Sequence, residues 1–168
     1  MTAAGIIRRQ LSLFAPEPWA TRLDEIRAVL DPVQHHLIAA HVTVCRDEEV
    51  EALLAGDLAG AIAAARRGPI TLGFGRAVAF DGHGVLLPCV AGEEELASFR
   101  ARLLGASQPR RQIPHITLAH PRNPKAAGND LAATRSLPSK IEIEFGEACV
   151  IEQRPGDVWR ALRRFPLQ

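Results

Sequence analysis

Two short segments of this sequence, His41-Val42-Thr43-Val44 and His115-Ile116-Thr117-Leu118, repeat one pattern: histidine, apolar residue, threonine, apolar residue. In an extended strand, side chains two apart share a face. His41 and Thr43 therefore project together, as do His115 and Thr117, while the apolar partners face the other way. Each motif presents an imidazole beside a hydroxyl, anchored by an apolar pair. Six histidines and six threonines would give only about 0.2 such H-x-T matches by chance, and two with the same apolar flanks far fewer.

Paired imidazoles suit a reaction in which one proton is taken and another given. Histidine titrates near neutrality, so one ring can serve as a base while the other is a cation. In-line displacement at phosphorus needs such groups on opposite sides of the phosphate. Hydroxyls beside each ring can bond the equatorial oxygens, where negative charge sits in the transition state. Phosphoryl transfer depends mainly on positioning and charge stabilisation, so this set needs no metal and no cofactor is expected.

The elements that must position these residues follow from pattern. Residues 5–15 read as a strand closed by the Pro16-Glu17-Pro18 turn, and 20–30 as a helix with Leu23, Ile26 and Leu30 at helical spacing, stopped by Asp31-Pro32. The β-branched run 36–45 predicts the strand of the first motif. Residues 47–66, acidic at the start and ending Arg66-Arg67-Gly68, predict one helix whose ends suit its dipole. Strands are expected at 70–80 and 84–90, joined at Asp81-Gly82, then a helix at 93–104 burying Leu96, Phe99 and Leu103. The second motif strand spans 113–119. A loop and a short helix at 130–136 follow, and the chain closes with KIEIEFGEACVIEQ, a turn at 154–157 and VWRALRRF, read as a hairpin.

At 168 residues the chain is expected to form a single domain with a substantial core. The net charge of +1 argues against a sequence-blind duplex binder and for a small anionic substrate or one end of a larger one. Cys45, Cys89 and Cys149 lie far apart with no C-x-x-C pair, which reads as reduced thiols in a cytoplasmic protein. The opening MTAAGIIRRQ lacks the order of a secretory signal, and no apolar run approaches the roughly 18 residues of a membrane span, so no membrane partner is expected.

The segments LIAAHVTV and RQIPHITL share an apolar approach and the same H-[VI]-T-[VL] core, and each follows a helix and loop. Paired H-x-T-x motifs about 75 residues apart, Pro114 directly before the second histidine, an opening strand ending near a proline, and the closing VIEQRPGDVWRALRRF resemble the two-histidine phosphoesterase superfamily. Its members include bacterial 2′-5′ RNA ligases and 2′,3′-cyclic nucleotide phosphodiesterases, and the closing segment resembles that of the shorter bacterial 2′-5′ RNA ligase-like branch. The resemblance implies an α+β fold over 1–168: two pseudo-symmetric lobes of antiparallel sheet, helices on the outer faces and a central cleft. It implies His41 as proton donor, His115 as proton acceptor, and Thr43 and Thr117 as phosphate binders. The substrate would be an RNA end or a nucleotide carrying a 2′,3′-cyclic phosphate, handled by a monomer acting as hydrolase or ligase. Relatives often stack the base on an aromatic residue; with no tyrosine here, that role would fall to Phe or Trp.

Other residues carry two readings each. His35 and His36 are read as solvated loop residues rather than metal ligands, since neighbours on an extended chain point apart. His120 is read as a surface residue, with contact to substrate from the loop as its alternative. Arg110 and Arg111 are a phosphate-reading pair or a solvated basic turn. Thr71, Gly73 and Gly75 either leave room for substrate or mark a bulge, and Trp19 and Trp159 are read as packing rather than stacking platforms. The rival for the whole chain is a module on the same fold that binds RNA or a phosphorylated ligand with little or no turnover. A metallohydrolase using several of the six histidines is a third reading, tested by chelation.

Overall fold

The computed structural model describes residues 5–105, 111–123 and 129–168. In chain order the elements are β1 (Arg8–Phe14), α1 (Trp19–Leu30), α2 (Pro32–Leu37), β2 (His41–Arg46), α3 (Glu48–Leu54), α4 (Leu58–Ala65) and β3 (Ile70–Phe74). There follow β4 (Val78–Phe80), β5 (Gly84–Ala91), α5 (Glu93–Leu104), β6 (His115–Ala119), a 3₁₀ turn (Leu131–Thr134), β7 (Ile141–Phe145), β8 (Glu147–Gln153) and β9 (Arg160–Pro166). The result is an α+β fold with two antiparallel sheets and, among the described residues, five α-helices.

The first sheet runs β2-β1-β8-β9. In the second, β5 pairs with β6 on one side and with β3 and β4 on the other, and β7 pairs with β3. Each histidine motif thus occupies an outer strand. Each is also reached from its neighbouring strand through helix: β1 leads through α1 and α2 to β2, and β5 leads through α5 to β6. The echo between the two motif segments is therefore an echo of whole strand–helix–strand units.

The apolar residues of both motifs do what alternation demands. Val42, Val44, Ile116 and Leu118 are completely buried, together with Leu11 and Leu13 of β1. Burial of side chains of this size stabilises a fold by roughly 1.5–3 kcal/mol each. α1 buries Leu23, Ile26 and Leu30, and α5 buries Leu96, Phe99 and Leu103, in one core that spans both sheets. The packing crosses over: α1, which precedes the first motif, lies against β6, and α5, which precedes the second, lies against β2. Each lobe buttresses the other's motif strand.

Four expected boundaries are corrected. The strand expected at 36–45 begins only at His41, because Pro32 at the first turn and the Asp31 side chain, accepting from the Gln34 N–H at 3.0 Å, start a helix instead. His35 and His36 therefore sit on α2 rather than in a loop; His36 is exposed, whereas the His35 Nδ1 is buried without a partner. The helix expected over 47–66 breaks at Gly56, and Asp57 caps a new one by accepting from the Gly60 N–H at 3.0 Å. The strand expected at 70–80 divides into β3 and β4, with a register shift at Gly73/Phe74 that makes the glycine stretch a bulge.

The fourth correction is topological. The closing residues do not form one hairpin, since β7 pairs with β3 in the second sheet whereas β8 pairs with β1 in the first. Gly146 is the single residue between them. Only β8 and β9 form the expected antiparallel pair. Among the described residues, no helix is long and apolar enough to cross a membrane.

Candidate active site

His41 and His115 each open their strand, and each is held by the same local bond. The His41 Nδ1 donates to the Ala39 carbonyl at 2.9 Å, and the His115 Nδ1 donates to the Ile113 carbonyl at 3.0 Å. A carbonyl oxygen only accepts, so in both rings the Nδ1 carries a proton and the Nε2 is left for chemistry. Both bonds reach back two residues, to the segment that enters the strand. The tautomer and the ring orientation are thus set by backbone rather than by a carboxylate.

Both rings lie beside phenylalanine. Phe14 is the register partner of His41 across β1–β2, with ring centroids 5.8 Å apart. Phe80, at the end of β4, stands 6.5 Å from His115. This apolar company and the closeness of the core pull the His41 pKa down to about 4. Burial is the main cause; the positive charges of Arg27 and His115 add to it, and the bond to Ala39 opposes it. The two motif strands, β2 and β6, lie against one another.

Direct contacts join them. β2 and β6 pack together, and the Gln112 side-chain N–H donates to the Thr43 carbonyl at 2.8 Å. From the other direction, Arg100 of α5 reaches the Val44 carbonyl and pairs with Glu49 through two contacts, of 2.9 and 3.2 Å. Arg100 is buried and Glu49 half-buried, so this pair pins the end of β2 to the second lobe.

The threonines share the face of the rings. Thr43 lies opposite Ser12 in register, and the hydroxyls of both lie within 3.5 Å of the Gln10 Oε1. Thr117 is half-buried, and its hydroxyl has no protein partner among the described residues. Two hydroxyls and two Nε2 atoms are thereby presented on half-buried faces.

A cavity of about 820 Å³ opens beside His115. Arg46 and Glu49 line it from the first lobe, and Phe80, Leu86 and Arg111 from the second; His41 is not among its walls. Phe80 is an aromatic side chain in this wall, and it is 41% exposed. The signal was available: a phenylalanine directly before the Asp81-Gly82 turn, where burial is hard to achieve. Arg111 faces this cavity, whereas Arg110 lies outside the described residues. Gln112 and Arg100 went unnoticed, because a polar residue that bonds a distant carbonyl leaves no local pattern.

The remaining candidates fall elsewhere. Trp19 packs partly against the core, with Arg22 over its ring at 4.7 Å, and Trp159 packs on Ile38, Cys149 and Ile151. His120 is half-buried just beyond β6, so the surface reading of it is corrected. Its backbone N–H donates to Asp31 at 2.8 Å. Asp31, fully buried, also accepts from the Gln34 N–H and the Asn123 side chain, and so ties α2 to the end of the second motif strand. Among the described residues, no group of three or more His, Cys, Asp or Glu side chains is placed to hold a metal ion.

Comparison with known proteins gives a consistent picture. The chain is similar in structure to LigT of E. coli in its complex with NADP+ (TM-score 0.59, 17% identity), covering 96% of this chain and 97% of that one. The E. coli LigT complex with phosphate gives a TM-score of 0.58 at 17% identity, with the same coverage. A crystal structure described as a phosphoesterase gives 0.54 at 16% identity, covering 97% of this chain and 99% of that one. At such identities the likeness speaks for the fold. No match was found among curated protein sequences. The family model of the 2′-5′ RNA ligase superfamily matches residues 15–157, a span that holds both histidine motifs and the strands that carry them, and the chain belongs to that superfamily.

Proposed function

We propose that the protein is a metal-independent phosphoesterase that opens 2′,3′-cyclic phosphates on RNA ends or nucleotides, and that joins 2′-5′ RNA when a 5′-hydroxyl takes the place of water. The single observation that carries this reading is the matched pair of Nδ1–carbonyl bonds at His41 and His115, which frees both Nε2 atoms.

In this scheme the His115 Nε2 takes the proton of the attacking water or hydroxyl as its oxygen bonds to phosphorus. The bond from phosphorus to one ribose oxygen breaks, and His41 gives that oxygen a proton. The Thr43 and Thr117 hydroxyls donate to the two non-bridging oxygens. Burial lowers His41 to about 4, so its ring is neutral at pH 7 before substrate binds. A phosphodiester anion favours its cationic form, so its proton enters with the substrate. Phe80 stacks the base in the adjoining cavity, with Arg111 and Arg46 at its walls. The space between the lobes is the catalytic cleft of one bilobal domain, acting as a monomer. Three buried free thiols support placing it in a reducing cytoplasm.

The test is direct. Alanine in place of His41 or His115 should lower turnover of a 2′,3′-cyclic nucleotide by roughly 10²–10⁴ each, with circular dichroism unchanged. Activity should survive thorough chelation. Turnover that persists in the double variant would sink the mechanism. The low pKa of His41 favours one rival, a module that binds a phosphorylated ligand or RNA without turning it over. Phosphorus NMR of a bound cyclic nucleotide separates the two, since binding without conversion supports the module.

A further inference from the structure

A second cavity, of about 290 Å³, shares no wall with the first. It too is built from both lobes: Arg8 of β1, Gln153 of β8, Trp159 and α2 on one side, His120 and Arg122 beyond β6 on the other. It flanks both motifs in the chain. Leu37, in its wall, stands four residues before His41, and His120 stands three after Thr117. Arg8 and Gln153 are register partners. By the alternation of β1 they share the sheet face of Ser12 and Phe14, the partners of Thr43 and His41. The pocket therefore lies along the same face as the first motif.

Its charge is one-sided. None of its lining residues is acidic. Among the described residues, neither Arg8 nor Arg122 pairs with a carboxylate, whereas Arg9, Arg66, Arg100 and Arg164 each do. Arg8 instead lies over the Trp159 ring at 5.5 Å. The nearby carboxylate, Asp31, is buried and accepts from three donors, so its oxygens are already engaged. The His120 Nδ1 accepts the Arg122 N–H at 3.1 Å, which leaves the Nε2 as the protonated nitrogen of the neutral ring. Burial first, then the charges of Arg122 and Arg8, lower the His120 pKa against the opposing pull of Asp31. The ring is thus a neutral N–H donor beside two guanidinium groups that pair with no carboxylate among the described residues.

Two guanidinium groups and an imidazole N–H, with no acidic neighbour in the wall, form a donor set for phosphate; the Gln153 amide gives one N–H to the Asp157 carbonyl at 3.0 Å and keeps its second. The volume sits at the small end of ligand pockets, enough for a phosphate with its sugar. We propose that this pocket holds a further phosphate of the substrate strand, away from the one that reacts, so that the protein selects oligonucleotide ends over cyclic mononucleotides. The inference rests on the reading of His41 and His115 given above.

The experiment compares wild type with the Arg8→Gln, Arg122→Ala double variant. Both positions are exposed, so folding is not at stake. The substrates are 2′,3′-cyclic AMP and a short oligoribonucleotide ending in a 2′,3′-cyclic phosphate, each at several salt concentrations. The variant should raise KM for the oligonucleotide roughly tenfold or more, and flatten its logarithmic salt dependence by roughly one to two units. Cyclic AMP kinetics should not change. Equal effects on both substrates, or no effect on either, would overturn the proposal. If wild type turns over neither substrate, the phosphoesterase reading has failed, and the pocket is read by fluorescence anisotropy of the same oligonucleotide. Weaker binding by the variant then supports the pocket, and equal binding overturns it.

Discussion

Gln112 and Thr43 stand in different lobes, yet the side chain of one donates to the backbone carbonyl of the other at 2.8 Å. The bond joins the segment that enters the second motif to the middle of the first motif. It therefore fixes the relative placement of the two motif threonines and of the imidazoles beside them.

Loss of this bond should be felt in rate more than in stability. Gln112→Ala removes one neutral hydrogen bond, about 1 kcal/mol of fold stability. A displacement of either ring by a fraction of an ångström costs more, and kcat should fall roughly 10- to 100-fold. Steady-state kinetics beside urea unfolding checks the contrast. A variant that loses stability and keeps full kcat would show that the bond does not position the rings.

Phe80 should act on binding. Alanine there should raise KM roughly 5- to 100-fold, the range expected when about 1–3 kcal/mol of base stacking is lost, with kcat nearly constant. Phe80→Trp should restore KM. Failure of tryptophan to do better than alanine would remove Phe80 from base recognition.

The lowered pKa of His41 sets two pH dependences. Because kcat/KM reports the free protein and kcat the bound one, the alkaline limb due to loss of the His41 proton should lie at higher pH in kcat than in kcat/KM. Superimposable limbs would mean that the substrate does not recharge the ring.

For stability, the sign follows from the two end states. Above pH 6.5 the ring is neutral in both folded and unfolded chains. As pH falls from 6.5 toward about 4 the unfolded chain takes up the proton first, so the folded state loses stability across that window. Thermal melts of wild type and His41→Gln between pH 4 and 7 should show wild type losing Tm relative to the variant as the pH drops.

Asp31 should be the most costly of these positions to change. Alanine there removes the cap of α2 and leaves the His120 N–H without its acceptor, at about 2–3 kcal/mol. Asn keeps an acceptor and should cost less. Denaturant midpoints for the two variants check both the size and the order.

Much of the candidate site's local geometry was legible in the sequence because strand alternation is a local rule. A histidine and a threonine two apart on a strand share a face whatever the rest of the chain does, and burial of Val42, Val44, Ile116 and Leu118 follows from the same alternation. α5 was legible for the same kind of reason, with Leu96, Phe99 and Leu103 at helical spacing and acidic residues in its first turn. The doubled motif also led to the family, since two matched tetrads on one short chain are improbable by accident.

Other features were decided by partners far away in the chain. Gly146 sends β7 and β8 to different sheets; no local propensity tells a strand which edge it will join. The start of α2 turned on one side chain: Asp31 is set as a cap by bonds that come from Gln34, His120 and Asn123 together. The electrostatics were hidden for the same reason. Arg8 and Arg122 are ordinary basic residues in sequence, and only the approach of β1 to the segment beyond β6 sets both in the wall of one pocket without a carboxylate. Periodicity along the backbone is a nearest-neighbour property and survives in one dimension, whereas burial, pairing and charge balance depend on which segments meet, and only the folded chain specifies that.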